Sequence, residues 1–174
     1  EGAFNDEVDN AIISAEWFNA AIDAHKKLGF IPRGLKVCAH DPSDLGPDAK
    51  ATVVRHGAVV TRCEEKDNGD ANEGCDWATD IAINENVDTF IYDGDGIGAP
   101  LRRQIDGNLY GKKIEVEMYK GSHGVDDPDQ YYQPDDSMNR QQAKTNKETF
   151  KNKRSQRIWM LRDRFYNTYR AVVK

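Results

Sequence analysis

Between residues 5 and 28 the apolar positions Val8, Ile12, Ala15, Phe18, Ile22 and Ala24 recur close to a helical period, with Asn5 as an N-cap and Gly29 at the end. The spacing predicts one amphipathic lead-in helix within residues 1–30, closed off by Pro32 and Gly34, with a single folded domain over 31–174. The run LKVCAHD (35–41) is too apolar to face water along its length and reads as a buried strand that ends in an aspartate. ATVVR (51–55) and AVVTRC (58–63) are β-branched runs on either side of His56 and Gly57, which predicts a hairpin and three adjacent antiparallel strands.

After the polar stretch KDNGDANEG (66–74), Trp77, Ile81 and Ala82 share one face of a helix expected over 73–86. VDTFIYD (87–93) is a second buried strand, and GDGIGAP (94–100) turns it directly into a helix carrying Leu101, Ile105 and Leu109. KKIEVEMYKGS (112–122) alternates as a fifth strand. Residues 124–146 form a polar stretch longer than ordinary connections, expected to be functional or mobile. Phe150, Ile158, Leu161 and Phe165 then mark a final basic helix. Strand, glycine turn, helix is α/β grammar: a mixed sheet of five or more strands, three antiparallel and then parallel additions, with helices on both faces.

Composition narrows the class. At 174 residues, 38% hydrophobic and 31% charged, the chain can bury one sizeable core. No apolar run approaches the roughly 20 residues that cross a bilayer, and EGAFNDEVDN lacks the basic-then-apolar pattern of a signal peptide, so a soluble, cytosolic protein is expected. Cys38, Cys63 and Cys75 are odd in number and lack CxxC spacing, which argues for reduced thiols over a disulfide framework or structural zinc. The net charge of −6 hides a division: residues 139–174 hold 11 Lys+Arg against Glu148 and Asp163, a net of +9, so residues 1–138 carry −15. The basic segment is either a self-neutralising helix folded on acidic neighbours or a surface that faces a polyanion.

Asp41 and Asp93 each end a buried strand where the chain turns out of the sheet. If those strands are neighbours, the two carboxylates face each other at one rim, where they either raise one pKa or hold a divalent cation. Asp44, Asp48 and Asp95 nearby in sequence favour the cation. Hard oxygen ligands suit magnesium or manganese, and a two-metal site can activate water and stabilise the leaving oxygen in phosphodiester cleavage. Taken singly, DPSDLGPD and DGDGIG are ordinary acidic turns; the conjunction of both at strand ends points to a site. DGDGIG is no EF-hand loop, since Ile97 and Gln104 fall where oxygen ligands belong. There is no GxxxxGK[ST] and no GxGxxG, no serine or cysteine has a nucleophile's setting, and the four histidines are scattered. His40 beside Asp41 is expected to pack or to support it by a hydrogen bond.

In order, LKVCAHDPSDLGPDAKATVVRHG, a crossover helix, VDTFIYDGDGIGAPLRRQI and NKRSQRIWMLRDRF resemble the C-terminal nuclease domain of the large terminase subunit of tailed double-stranded DNA phages, over residues 30–170. The resemblance implies a ribonuclease H-like fold and a Mg²⁺- or Mn²⁺-dependent endonuclease that cuts concatemeric DNA during genome packaging in the bacterial host cytoplasm. It implies as partners double-stranded DNA, an ATPase motor domain, a small terminase subunit and the portal. It makes Asp41 the first metal-binding and catalytic carboxylate and Asp93 the second, with Asp48 and Asp95 as further metal ligands. The family's third carboxylate, on a later helix, has no match before Lys174, and Asp163, between Arg162 and Arg164, reads as a salt-bridge residue. Lys151, Lys153, Arg154 and Arg157 on the basic helix are the expected DNA contacts. A junction-resolving nuclease of the same fold and a non-catalytic, cation-binding docking module are the alternative readings.

Overall fold

A computed structural model describes residues 11–132 and 144–174, which divide into two compact units, residues 32–120 and the described residues of 11–31 with 121–174.

The first unit is built on a five-stranded sheet. Its strands are β1 (Lys36–Asp41), β2 (Lys50–His56), β3 (Val59–Lys66), β4 (Thr89–Asp93) and β5 (Glu115–Tyr119), in the order β3-β2-β1-β4-β5. β1, β2 and β3 pair antiparallel; β4 and β5 add in parallel, as the sequence pattern predicted. β2 and β3 run further than their β-branched cores: the ladder continues to Lys50 opposite Lys66, and the buried Lys50 ammonium donates to the Gly69 carbonyl at 2.6 Å. The hairpin turn is Gly57–Ala58, where Gly57 sits at φ 59°, the conformation a two-residue hairpin requires at its first central position. A Cβ on Gly57 would also lie 2.0 Å from the Arg33 carbonyl oxygen.

One face of the sheet holds the core. Cys38 pairs with both Val54 and Phe90, and His40 with Thr52 and Tyr92, so these buried side chains form two rows across three strands. Helix α3 (Ala71–Asn84) lays Cys75, Ala78, Ile81 and Ala82 on them, and the 3₁₀ turn Gly96–Leu101 with helix α4 (Arg102–Asn108) adds Leu101 and Ile105. α3 begins two residues earlier than its apolar pattern suggests because Asp70 and Glu73 form a reciprocal capping box, at 2.8 and 2.9 Å. Burial pushes the Cys38 thiol up to about 12 and that of Cys75 up to about 11, so both stay protonated and unreactive; all three cysteines are free.

In the second unit the expected single lead-in helix is two: α1 (Ala15–Ala21), capped by Ser14, and α2 (Ala24–Lys27). The break comes at Ile22, which is extended, and Asp23, which is left-handed at φ 55° and pairs with Lys26 at 2.9 Å. Aspartate competes with helical backbone in this way. Ile22 consequently lies exposed, whereas Trp17 and Phe18 pack on Tyr166 and Phe165 of the last helix. The expected N-cap Asn5, and Val8, lie outside the described residues.

The last helix, α6 (Lys153–Val173), follows a short α5 (Asn146–Thr149) that the polar composition did not signal. α5 is nucleated by a Thr145–Glu148 capping box. The described part of the long polar stretch is held down by buried amides. Gln156 accepts from the Asp126 N–H at 2.8 Å and donates to its carbonyl at 3.0 Å, and Asn146 donates to the Asp126 and Asp127 carbonyls. The Asp126 carboxylate also takes Lys153, at 2.7 Å, and Arg157. Burial alone would raise this carboxyl, and the two cations more than reverse it, holding it below the usual carboxylate range.

Two outcomes follow from this packing. Gly57→Ala should cost roughly 2 kcal/mol in urea unfolding, from the positive φ and the Arg33 clash together. Because the Asp126 carboxyl titrates lower when folded, its stabilisation is full above the ordinary carboxylate pKa and is lost as pH falls through the depressed folded value. Melting temperatures between pH 6 and pH 3 should therefore fall less steeply for Asp126→Asn than for the parent.

Candidate active site

The geometry of the site follows from strand register. β1 and β4 run parallel with His40 opposite Tyr92, so the next residues, Asp41 and Asp93, end two neighbouring strands at the same level. Alternation turns both away from the core. Ala51 lies opposite Asp41 and Tyr119 opposite Asp93, so all four share one face. Together with Ala39, Val53 and Ile91 they line an open groove of about 290 Å³. Asp41 is exposed and Asp93 half-buried, so an ion could reach either carboxylate from solvent.

The Asp93 carboxylate is supported by the turn that follows it. The Asp95 N–H donates to Asp93 Oδ1 at 2.9 Å, an Asx turn that orients the carboxylate at the strand end. The turn is clamped as well: the Gly94 N–H donates to the Tyr119 carbonyl at 2.7 Å, and a Cβ on Gly98 would fall 1.6 Å from the Asp93 carbonyl oxygen and 3.2 Å from Pro42 Cγ. Glycine at 98 thus lets the turn after β4 close against the residue that follows Asp41.

Behind Asp41, on the core side, burial pulls the His40 imidazole down to about 4, and it is neutral near pH 7. Its Nδ1 faces the Ala51 carbonyl at 3.1 Å, so the neutral ring donates to the residue paired with Asp41. His40 packs in the core beside Trp77 and Phe90, and this hydrogen bond is made to the strand backbone.

The other predicted acids sit differently. Asp48 is exposed in the loop after β1, where its carbonyl accepts from the Ser43 hydroxyl at 2.7 Å, and Asp44 accepts from the Ala71 N–H at 3.3 Å. Neither Asp48 nor Asp95 lines the groove. Among the described residues no group of three or more His, Cys, Asp or Glu could hold a metal ion. The groove therefore offers a two-carboxylate platform, to which Asp95 brings a backbone N–H.

Of the four basic residues expected on the last helix, Lys151 lies before its N-cap Asn152 and is exposed, Lys153 and Arg157 share Asp126, and Arg154 is exposed. Asp163 pairs with Arg162 at 3.1 Å, as its neighbours predicted, and accepts from the Tyr132 hydroxyl. Burial and then this carboxylate push the Tyr132 phenol above its ordinary range. Arg162 lies between the Trp17 and Trp159 rings, at 5.2 and 5.0 Å. Pattern reading passed over Tyr119, yet the alternation in IEVEMY already put it on the face opposite Val116 and Met118. No helix of the described residues is long and apolar enough to cross a membrane.

No protein-family model matches the chain, and no curated protein matches it. Solved structures do. The nuclease domain of the large terminase subunit of bacterial virus Sf6 is 50% identical over 94% of this chain and 68% of its own, with a TM-score of 0.84. A lysine-to-alanine mutant of that domain with manganese and β-thujaplicinol matches at 50% identity, the same coverages and a TM-score of 0.85. The same mutant with calcium matches at 50% identity and 0.83, again over 94% of this chain and 68% of the other. Identity of this extent, over a mixed ribonuclease H-like sheet, means that the chain belongs to the nuclease domain family of phage large terminase subunits.

Proposed function

We propose that this chain is a divalent-metal-dependent DNA endonuclease that cuts concatemeric double-stranded DNA during genome packaging, with Asp41 and Asp93 as its metal-holding and catalytic carboxylates. The observation that carries the reading is the register of β1 and β4, which sets two carboxylates side by side on an open sheet face. Isolated, such a pair repels itself; a cation relieves the repulsion. The donor set fits a hard ion such as Mg²⁺ or Mn²⁺, since every side-chain ligand is a carboxylate oxygen. Manganese and calcium are bound in the related terminase nuclease structures. A divalent ion held there would supply Lewis-acid polarisation of a phosphodiester and a lowered pKa for attacking water.

The chain's own residues hold and orient. The Asp95 N–H fixes one oxygen of Asp93, and His40 secures the ladder partner of Asp41. Asp48 and Asp95, the further metal ligands of this reading, would reach the ion through water, since neither lines the groove. Lys151, Lys153, Arg154 and Arg157 present cations to the DNA backbone, and contact there costs the pairing of Lys153 and Arg157 with Asp126. The ATPase motor domain, the small terminase subunit and the portal are its packaging partners, and it works in the host cytoplasm.

Asp41→Asn and Asp93→Asn should each weaken Mn²⁺ binding by at least about tenfold and abolish plasmid nicking, while the melting temperature without metal stays level or rises. Titration calorimetry and gel assays test this, and variants that bind and cut like the parent would remove the pair from the site. At the start of the basic helix and just before it, Gln in place of Lys151, Lys153, Arg154 and Arg157 should lower the salt slope of DNA binding by roughly one unit per lost phosphate contact. Asp126→Asn, by releasing two cations, should act in the opposite direction and tighten binding at low salt.

A further inference from the structure

The groove contains more than a metal platform needs. A phosphate with its cation requires oxygen ligands and solvent access, and Asp41 and Asp93 offer both. Apart from His40 and Tyr92, whose strand positions alternate toward the core, the rest of the lining is mostly carbon: Ala39, Ala51, Val53 and Ile91 floor the groove, and Tyr119 bounds it from the edge strand β5, in register with Asp93. Tyr119 is half-buried, and its carbonyl is tied to the Gly94 N–H, so its backbone moves with the Asp93 turn. A half-exposed aromatic ring beside an apolar floor stabilises a complex only where carbon-rich surface is laid against it. On a nucleic acid that surface is a deoxyribose or a base face, and every base has one.

We infer that Tyr119 is a substrate-positioning residue, whose ring covers the nucleotide next to the phosphate held at Asp41 and Asp93. The inference rests on the nuclease reading above and adds the second half of the subsite: carboxylates for the phosphate, Tyr119 and the apolar floor for the adjoining sugar or base. Such a contact is tolerant of sequence and carries no charge, so it adds affinity without adding to the salt dependence. It also differs in kind from the lysine and arginine contacts on α6.

The test compares the parent with Tyr119→Phe and Tyr119→Ala, using Mn²⁺ titration calorimetry and anisotropy of a short fluorescein-labelled duplex in Ca²⁺. Tyr119→Ala is expected to lose roughly tenfold in DNA affinity with an unchanged salt slope. Its Mn²⁺ affinity should equal the parent's, and Tyr119→Phe should restore DNA affinity to within about twofold. Unchanged DNA affinity in Tyr119→Ala, with Mn²⁺ bound normally, would overturn the role of Tyr119 alone. Loss of Mn²⁺ binding in Tyr119→Ala would also overturn it, by making the residue a prop for Asp93. A parent that binds no Mn²⁺ would overturn the nuclease reading and this inference with it.

Discussion

The parallel pairing of β1 with β4 is the constraint on which the rest depends. These strands are separated in sequence by a hairpin and a crossover helix, and their ladder runs from Val37 opposite Thr89 to His40 opposite Tyr92. A shift of one residue would turn every side chain of one strand to the other face, burying Asp41 or Asp93 against α3 and exposing Cys38 or Phe90. The core therefore fixes the site. Cys38, Val54 and Phe90, fully buried, hold the register that brings two anions together on the opposite face.

That dependence explains what was legible in the sequence. Apolar runs that end in an acid, a glycine turn that leads into a helix, and β-branched hairpin arms are local signals, and each became the expected element, save that a 3₁₀ segment holding Leu101 precedes α4 and Leu109 caps it. Long-range consequences were less visible. Whether Asp48 and Asp95 join the groove depends on the path of two loops, and in the fold Asp95 contributes an N–H to Asp93 while Asp48 lies outside the lining. The lead-in segment had a helical apolar period, yet the left-handed Asp23 divided it, and Trp17, off the expected stripe, became a packing residue. Periodicity reports which face can be buried; it does not report where the backbone turns.

The charge division of the chain also acquires a physical meaning. The strongly basic segment answers to acids within its own unit: Asp126 takes Lys153 and Arg157, Asp129 takes Lys147, and Asp163 takes Arg162. Self-neutralisation and a polyanion-facing surface, alternatives when only composition is considered, are compatible here. Partly exposed pairs of this kind are worth about 0–1 kcal/mol each, little enough for a phosphate to displace the carboxylate from the cation. Asp126 thus holds its lysine and arginine through partly exposed pairs, weak enough that a more highly charged anion would compete for them.

The same economy shows at the groove. Its two carboxylates need no third acid from the sheet to be brought together, because backbone register does that work. On the proposed reading, what they lack is a means of fixing a substrate's orientation, since a cation with exchangeable waters accepts a phosphate from many directions. Orientation has to come from groups that recognise shape rather than charge. Within the sheet unit those are the small floor residues Ala39 and Ala51, which leave room beside Asp41, and the ring of Tyr119, which closes the groove beyond Asp93. Larger side chains at 39 or 51 would fill the floor beside Asp41, and on the proposed reading the groove would then be too shallow to seat a nucleotide.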